Sequence, residues 1–243
     1  MRCLARLTAA RDQVYRPDYH AKLQGALYSI LDEAGYGFIH RERPFKFVTF
    51  SNIFPPEDME EGDSRTWLVA SPHDDLIKDV AEVLRGRHDL RVGDRRYYID
   101  GVTTFDISPD REGRMETATP IIVRIPDWRC REYGIDPEYD DVYWVHDHPT
   151  EAFKTEIERN LASKYEEYYD EEPPDRPYFT DYVPRRDVAL PVHYEDRRVQ
   201  VIGTTWEFGY ETSTREMYRL IKLAFDAGVG EMNTTGFGFI NEM

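Results

Sequence analysis

Residues 213–240 read STREMYRLIKLAFDAGVGEMNTTGFGFI, and the order of elements in this ending is the key to the fold. Ser213 is a residue type that caps helix N-termini, and apolar residues then recur at helical spacing as far as Ala227. The apolar face of this predicted helix consists of Met217, Leu220, Ile221, Ala224 and Phe225. Glycines then interrupt the pattern, and the apolar run 237–240 predicts a short strand. The sequence therefore ends in a helix, a glycine-rich turn and a strand.

Residues 119–208, before this ending, predict a strand, a helix and a hairpin. Apolar residues over 119–126 predict a strand, and the polar run 151–169 predicts a helix that ends before a Pro-Pro pair. The runs 187–194 and 199–208 predict a hairpin that turns at Glu195-Asp196. The second half thus has the order β-α-β-β-α-β, which is that of a ferredoxin-like unit.

The first half of the sequence predicts the same order. Its predicted elements are a strand at 2–8, a helix from Asp18 to Ala34, strands at 45–53 and 65–70, a helix that starts at Ser71 and a strand at 95–107. The simplest architecture is therefore an α+β fold of two tandem ferredoxin-like βαββαβ units. We expect an N-terminal domain of residues 1–110 and a C-terminal domain of residues 117–243, joined near 108–117.

The charge of the chain is strongly acidic, with 47 Asp and Glu residues against 31 Lys and Arg and a formal net charge of −16. The six lysines are far outnumbered by the arginines, and this composition resembles that of haloarchaeal proteins. In molar salt, self-repulsion is screened over about 3 Å, so net charge says little about partners. An acidic protein of a low-salt organism stays an alternative, and there the charge argues against a nucleic-acid partner.

Composition excludes several other classes of protein. The chain has no apolar run of the 18 or so residues that a transmembrane helix needs, so we expect no membrane partner. Its first residues alternate like a strand and do not resemble a secretory signal. Cys3 and Cys130 are too few for a disulfide framework or a zinc site, so we expect a cytoplasmic location.

The glycine-rich turn is the first candidate for a binding site. Glycines let the backbone approach a ligand closely, and the N–H groups of such a turn can hold phosphate oxygens. The candidate residues are Gly228, Gly230, Asn233, Gly236 and Gly238. A helix C-cap followed by turn glycines is the alternative interpretation.

The motif helix, Gly-x-Gly-x-x-Asn-x-x-Gly-x-Gly, strand resembles the ending of the RAMP superfamily of CRISPR-associated proteins, and more narrowly of the Cas6 family of endoribonucleases. The first half supports this resemblance through LQGALY at 23–28, His40 and FKFVTFS at 45–51. The resemblance spans nearly the whole chain. It implies tandem ferredoxin-like domains and an enzyme that cuts CRISPR repeat RNA.

His40, Tyr28 and Lys46 match in position the catalytic His, Tyr and Lys of active relatives. RNA can be cut without a metal when its own 2′-hydroxyl attacks the neighbouring phosphate, giving a 2′,3′-cyclic phosphate and a 5′-hydroxyl. A histidine can move the protons of this reaction near neutral pH, and an ammonium stabilises the developing negative charge. We expect no cofactor and no metal. The alternatives are a surface His40, a Tyr28 at the edge of the core and a solvent-facing Lys46.

Arginines are the second candidate for RNA binding, because guanidinium groups pair with phosphates and stack on bases. Arg185, Arg186, Arg197 and Arg198 bracket the predicted hairpin, where the resemblance implies contact with an RNA stem. The alternative is a solvated hairpin end, balanced by nearby carboxylates. His146, His148 and His193 do not have the spacing of a metal site.

Two other functions stay open at this stage. One is a non-cleaving RAMP subunit that binds guide RNA within a CRISPR interference complex, and the other is an acidic scaffold without an RNA role. The partners implied by the resemblance are CRISPR repeat RNA and other CRISPR-associated subunits. A homodimer is compatible with the sequence.

Overall fold

The computed structural model describes residues 1–16, 19–37, 45–136, 141–194 and 197–243. The first half of the chain forms a five-stranded antiparallel sheet with two helices. Its elements are β1 (Arg2–Ala9), α1 (His20–Glu33), β2 (Thr49–Phe50), β3 (Ser64–Ala70), α2 (Asp74–Gly86), β4 (Asp89–Val92) and β5 (Arg95–Phe105). The strand order is β2-β3-β1-β5-β4.

The first unit differs from the sequence prediction in two of its strands. Of the predicted strand 45–53, only Thr49 and Phe50 form a ladder with β3, and Phe47 just before them has a φ of 49°, which interrupts an extended strand. The strand β4 was not predicted; it forms a hairpin with β5, and Gly93 enters the turn with a φ of 65° that favours glycine. The predicted helix cap Asp18 lies outside the described residues.

The second half forms a four-stranded antiparallel sheet, a two-stranded ribbon and three α-helices among its described residues. Its elements are β6 (Glu112–Thr117), β7 (Arg124–Pro126), α3 (Asp127–Cys130), β8 (Asp141–Tyr143), α4 (Thr150–Tyr169), β9 (Asp181–Tyr194), β10 (Arg197–Glu211), α5 (Arg215–Ala227) and β11 (Ile240–Glu242). The sheet order is β11-β6-β10-β9, and the ribbon pairs β7 with β8.

The first strand of the second sheet is β6, in the stretch predicted as a connection, and not the predicted strand 119–126. Residues 119–123 of that run are buried, and Ile121 and Ile122 make only isolated bridges, to Thr204 and Glu231. Its last three residues form β7 and pair with β8 in the ribbon, outside the four-stranded sheet. The predicted cap of α5 also moves by one residue: Thr214, and not Ser213, accepts a hydrogen bond from the Met217 N–H at 3.1 Å.

Both sheets have the strand order of a ferredoxin-like fold, in which the first strand lies between the third and the last. In the first unit β1 lies between β3 and β5, with β4 added at the edge, and in the second β6 lies between β10 and β11. The prediction of an α+β fold with tandem ferredoxin-like units is therefore confirmed. Within the described ranges, no helix combines the length and the apolar character needed to cross a membrane.

The buried guanidinium of Arg2 joins the two units. Its Nη1 donates to Asn241 Oδ1 at 2.8 Å, and its Nη2 donates to the carbonyls of Phe225 at 2.9 Å and Ile240 at 2.6 Å. The same guanidinium lies over the ring of Phe239, 4.5 Å from its centroid. The first strand of the chain is thereby fixed to the last helix and the last strand.

Candidate functional site

The glycine-rich loop, residues 228–238, runs from the end of α5 to the start of β11 with a tightly folded backbone. Gly228, Gly230, Gly236 and Gly238 all have positive φ, between 67° and 88°. A Cβ atom at Gly238 would lie 1.9 Å from the carbonyl oxygen of Val229, so a larger residue there requires the loop to move. The four glycines identified from the sequence are therefore the ones that the fold of the loop requires.

The loop packs against the first unit. A Cβ at Gly236 would lie 2.6 Å from the ring of Phe50 on β2, and the His20 ring of α1 stacks on Phe237 with centroids 5.4 Å apart. His20 is buried, and burial lowers its pKa to about 4, although a hydrogen bond to the backbone of Thr235 acts in the opposite direction. The loop is thus held by neutral, apolar contacts on this side.

On its other side the loop surrounds a buried cation, Lys164 of α4. Its ammonium donates to the carbonyls of Gly228 and Gly230, both at 2.9 Å, and to Asn233 Oδ1 at 2.6 Å. Burial lowers the pKa of Lys164 to about 7, and the carboxylate of Glu231 opposes this shift. Sequence reasoning missed Lys164, because a lysine in a polar helix is ordinarily solvated.

The side chain of Asn233 points into the loop. Its Nδ2 donates to the carbonyls of Val229 at 3.2 Å and Phe237 at 3.0 Å, while its Oδ1 accepts from Lys164. Donors and acceptor are therefore engaged within the protein. Asn233, which the sequence analysis predicts to bind RNA, joins parts of the loop to each other through these hydrogen bonds.

A cleft of about 450 Å³ lies between the loop, α4 and the residues that precede β2. Among the described residues that line it, Lys46, Arg124 and Lys164 are cationic and Glu231 is the carboxylate. Phe45 and Phe47 also face the cleft, and the Phe45 ring centroid lies 6.0 Å from the Lys164 ammonium. The cleft is locally positive on a chain of strongly negative net charge, and it offers aromatic surface for stacking.

A second cavity of about 280 Å³ continues from the cleft and shares Phe45, Arg124 and Asn160 with it. Its guanidinium groups belong to Arg124, Arg129 and Arg159. Each of them is paired with a carboxylate: Arg129 and Arg159 with Glu156 of α4, and Arg124 with Glu231 of the loop. This cavity is therefore more nearly neutral than the cleft.

The structure brings together two of the three predicted catalytic residues. The ammonium of Lys46 lies 5.7 Å from the centroid of the Tyr28 ring, which is half-buried on α1. Gln24, one helical turn earlier, donates to the Tyr28 hydroxyl at 3.4 Å. His40 lies outside the described residues.

The hairpin arginines lie on β9 and β10. Arg185 and Arg186 are exposed on β9, where Arg185 Nε donates to Glu207 Oε1 at 2.9 Å. Arg197 and Arg198 begin β10, and their side chains lie outside the described part of the chain. The turn of the hairpin, at residues 195 and 196, also lies outside it.

The histidines 146 and 148 do not converge on a metal site. His146 Nδ1 lies at hydrogen-bond distance from Asp187, and His148 Nδ1 accepts from the Val145 N–H at 3.4 Å. Burial lowers the pKa of His148. In the ranges that the structure describes, no three His, Cys, Asp or Glu side chains are grouped so that they could hold a metal ion.

Comparison with known proteins identifies relatives over the whole chain. The family model for the C-terminal part of CRISPR associated protein Cas6 matches residues 103–242. A CRISPR-associated endoribonuclease Cas6 of Haloferax mediterranei is 34% identical over 99% of this chain and 93% of its own length. A second such endoribonuclease, from Methanocaldococcus jannaschii, is 29% identical over 99% of both chains.

Solved structures show the same fold. A CRISPR associated protein Cas6 superimposes with a TM-score of 0.75 at 21% identity, over 100% of this chain and 99% of the other. A structure described as an RAMP protein binding different RNA substrates gives a TM-score of 0.74 at 20% identity, with the same coverage. These superpositions show that the chain shares its fold with the two solved structures over its whole length.

Proposed function

Because the chain belongs to the Cas6 family of CRISPR-associated proteins, we propose that it is an endoribonuclease that processes CRISPR repeat precursor RNA. The observation that carries this proposal is the positive cleft beside the glycine-rich loop, where Lys46 lies against the Tyr28 ring. The glycine-rich loop and Lys46 line one cleft, and Tyr28, the other described residue of the proposed catalytic set, lies next to Lys46.

The reaction proposed for this cleft needs no metal ion. The 2′-hydroxyl of the substrate loses its proton and attacks the adjacent phosphorus, the P–O5′ bond breaks, and the 5′-oxygen takes up a proton. The products are a 2′,3′-cyclic phosphate and a 5′-hydroxyl. His40 is the proposed base or acid for these proton transfers, because an imidazole can accept or donate a proton near neutral pH.

Tyr28 and Lys46 act on the phosphate in this proposal. The ammonium of Lys46 stabilises the negative charge that develops on the phosphorane oxygens, and the Tyr28 hydroxyl donates a hydrogen bond that orients the phosphate. Proximity of Lys46 also favours the neutral form of a nearby imidazole. Removal of one such electrostatic partner is expected to lower the rate about 100-fold.

The RNA is proposed to be bound by both units. The N-terminal domain, residues 1–110, supplies the catalytic residues in this proposal. The C-terminal domain, which includes β6 and therefore begins before the residue 117 expected from the sequence, supplies the loop. Backbone groups of the glycine-rich loop face the sugar-phosphate chain, and the arginines of the β9–β10 hairpin contact a stem. Arg186 is exposed and Arg185 is held by Glu207, so the two neighbours differ in their freedom to reach a phosphate.

The test is cleavage of repeat RNA by the wild-type protein and by His40→Ala, each with and without EDTA. The matched control is His88→Ala, because His88 is exposed and does not line the cleft. We expect cleavage that is insensitive to EDTA, lost in His40→Ala and kept in His88→Ala. Loss of cleavage in EDTA, or cleavage by His40→Ala at the wild-type rate, refutes this mechanism. RNA binding without turnover by the wild type would instead favour the non-cleaving RAMP subunit.

A further inference from the structure

Lys164 occupies an unusual position for a lysine, since its side chain is only 2% exposed and its ammonium lies inside the glycine-rich loop. We infer that Lys164 is a positioning residue of the proposed RNA cleavage, which holds the glycine-rich loop in the shape that places the substrate phosphate in the cleft. This inference rests on the proposed function and adds a residue that acts through the loop.

The hydrogen bonds of Lys164 explain why a lysine occupies this position. An ammonium has three protons, and three loop acceptors surround it: the carbonyls of Gly228 and Gly230 and Oδ1 of Asn233. No proton is then left for a direct bond to RNA. The planar guanidinium of arginine has five donors in a fixed fork and does not match three acceptors around one point. The compact ammonium of lysine therefore fits this position better than a guanidinium, although the chain has only six lysines.

Asn233 extends this arrangement across the loop. Its carboxamide accepts from Lys164 and donates to Val229 and Phe237, so one side chain joins the two arms of the loop. Lys164 and Asn233 together fix the first arm, while the contacts of Gly236 and Phe237 with Phe50 and His20 fix the second. Both arms of the loop are therefore held by contacts within the protein.

The loop borders the cleft opposite Lys46. Gly230, Met232 and Thr234 line the cleft together with Lys46, and Phe45 lies beside the Lys164 ammonium. A change in the loop therefore alters where a phosphate lies relative to Lys46. Displacement of reacting groups by about 1 Å can lower a rate about 100-fold while most binding contacts remain.

The experiment compares Lys164→Met with Lys154→Met. Methionine keeps an unbranched apolar side chain and removes the charge and donors. Lys154 lies on the same helix but is 39% exposed and pairs with Glu151, so it is a matched control. Single-turnover cleavage of repeat RNA at saturating protein measures the chemical step. Binding is measured with repeat RNA that is 2′-deoxy at the cleavage site mapped with the wild type.

We expect Lys164→Met to lower the single-turnover rate by about tenfold or more, and the affinity for the deoxy RNA less than about threefold. Lys154→Met should match the wild type in both. An unchanged rate in folded Lys164→Met overturns the inference, as does a loss of affinity equal to the loss of rate, which indicates a structural role alone. If the wild type does not cleave, the proposed function itself fails, so the two failures are distinct.

A second measurement decides the case in which Lys164→Met does not fold. Wild-type protein labelled with ¹⁵N-lysine has six ammonium groups, which can be assigned by substitution of the other five lysines. At pH 6 we expect a signal from Lys164 in the free protein, because three acceptors slow its exchange with water. Addition of the deoxy RNA should shift this signal and leave that of Lys154 in place. A Lys164 signal that does not respond to bound RNA overturns the inference.

Discussion

Acidification should destabilise this protein through His20, at the contact between α1 and the glycine-rich loop. The imidazole is 2% exposed and stacks on Phe237, and burial lowers its pKa from 6.5 to about 4. Between these two values the unfolded chain binds a proton that the folded chain does not bind. The free energy of unfolding therefore falls as the pH decreases from 6.5 to 4, and this contribution is fully present above pH 6.5.

The size of the effect follows from the two pKa values. Each unit of difference corresponds to about 1.4 kcal/mol, so the full loss is about 3 kcal/mol at pH 4 or below. At pH 5.5 the expected loss is about 1.4 kcal/mol, and at pH 5 it is about 2 kcal/mol. These are large fractions of the net stability of an ordinary domain.

The assay is urea unfolding of the wild type and of His20→Phe between pH 7.5 and 5, at constant salt. Phenylalanine preserves the ring packing on Phe237 and removes the titratable nitrogens. As the pH falls from 7.5 to 5, the wild type should lose about 2 kcal/mol of unfolding free energy relative to the variant. Substitution of the exposed His88 by glutamine is the control and should leave the pH dependence unchanged. A His20→Phe protein with the same pH dependence as the wild type refutes the reasoning.

Other predictions address the loop, the cleft and the hairpin. Gly238→Ala should lower the melting temperature and slow cleavage, because the new Cβ would lie 1.9 Å from a carbonyl oxygen. Gly25→Ala on α1 is the control: no atom lies within 4 Å of its Cβ, so the variant should be neutral or stabilised by up to about 1 kcal/mol. Differential scanning calorimetry of both variants checks this, and equal shifts would contradict it. Lys46→Met should lower the single-turnover rate about 100-fold with an unchanged melting temperature, and a wild-type rate would remove Lys46 from the mechanism. Arg186→Ala should reduce the slope of log RNA affinity against log salt concentration by about one. Arg185→Ala should reduce this slope less, because Glu207 already neutralises Arg185. Equal slopes for the two variants would contradict this difference.

The sequence predicts long elements well where one face is apolar. The stripe at Leu220, Ile221, Ala224 and Phe225 is buried on α5, and β9 and β10 pair as the predicted hairpin requires. The strand β6 is missed because it is mostly polar and only Met115 is fully buried. Residues 119–123 are apolar for another reason: they fill the core and make only isolated bridges to neighbouring residues. An apolar pattern indicates which residues are buried, but it does not show whether a buried segment pairs in a sheet.

The candidate site is predicted in part for a similar reason. Glycines signal positive φ locally, so the loop could be located from residues 228–238 alone. The role of Lys164 depends on loop carbonyls more than 60 positions away, and no local pattern encodes such a contact. Asn233 illustrates the same limit, because its residue type alone does not show that its carboxamide is hydrogen-bonded to Val229 and Phe237 within the loop.

The guanidinium of Arg2 has a mechanical consequence. Its acceptors Phe225 and Ile240 stand on either side of the glycine-rich loop, so one side chain from the opposite unit clamps both stems of that loop. Any hinge motion that parts the two halves would pull on these stems together. Separation of the two units therefore requires either that these hydrogen bonds break or that both ends of the loop move with Arg2.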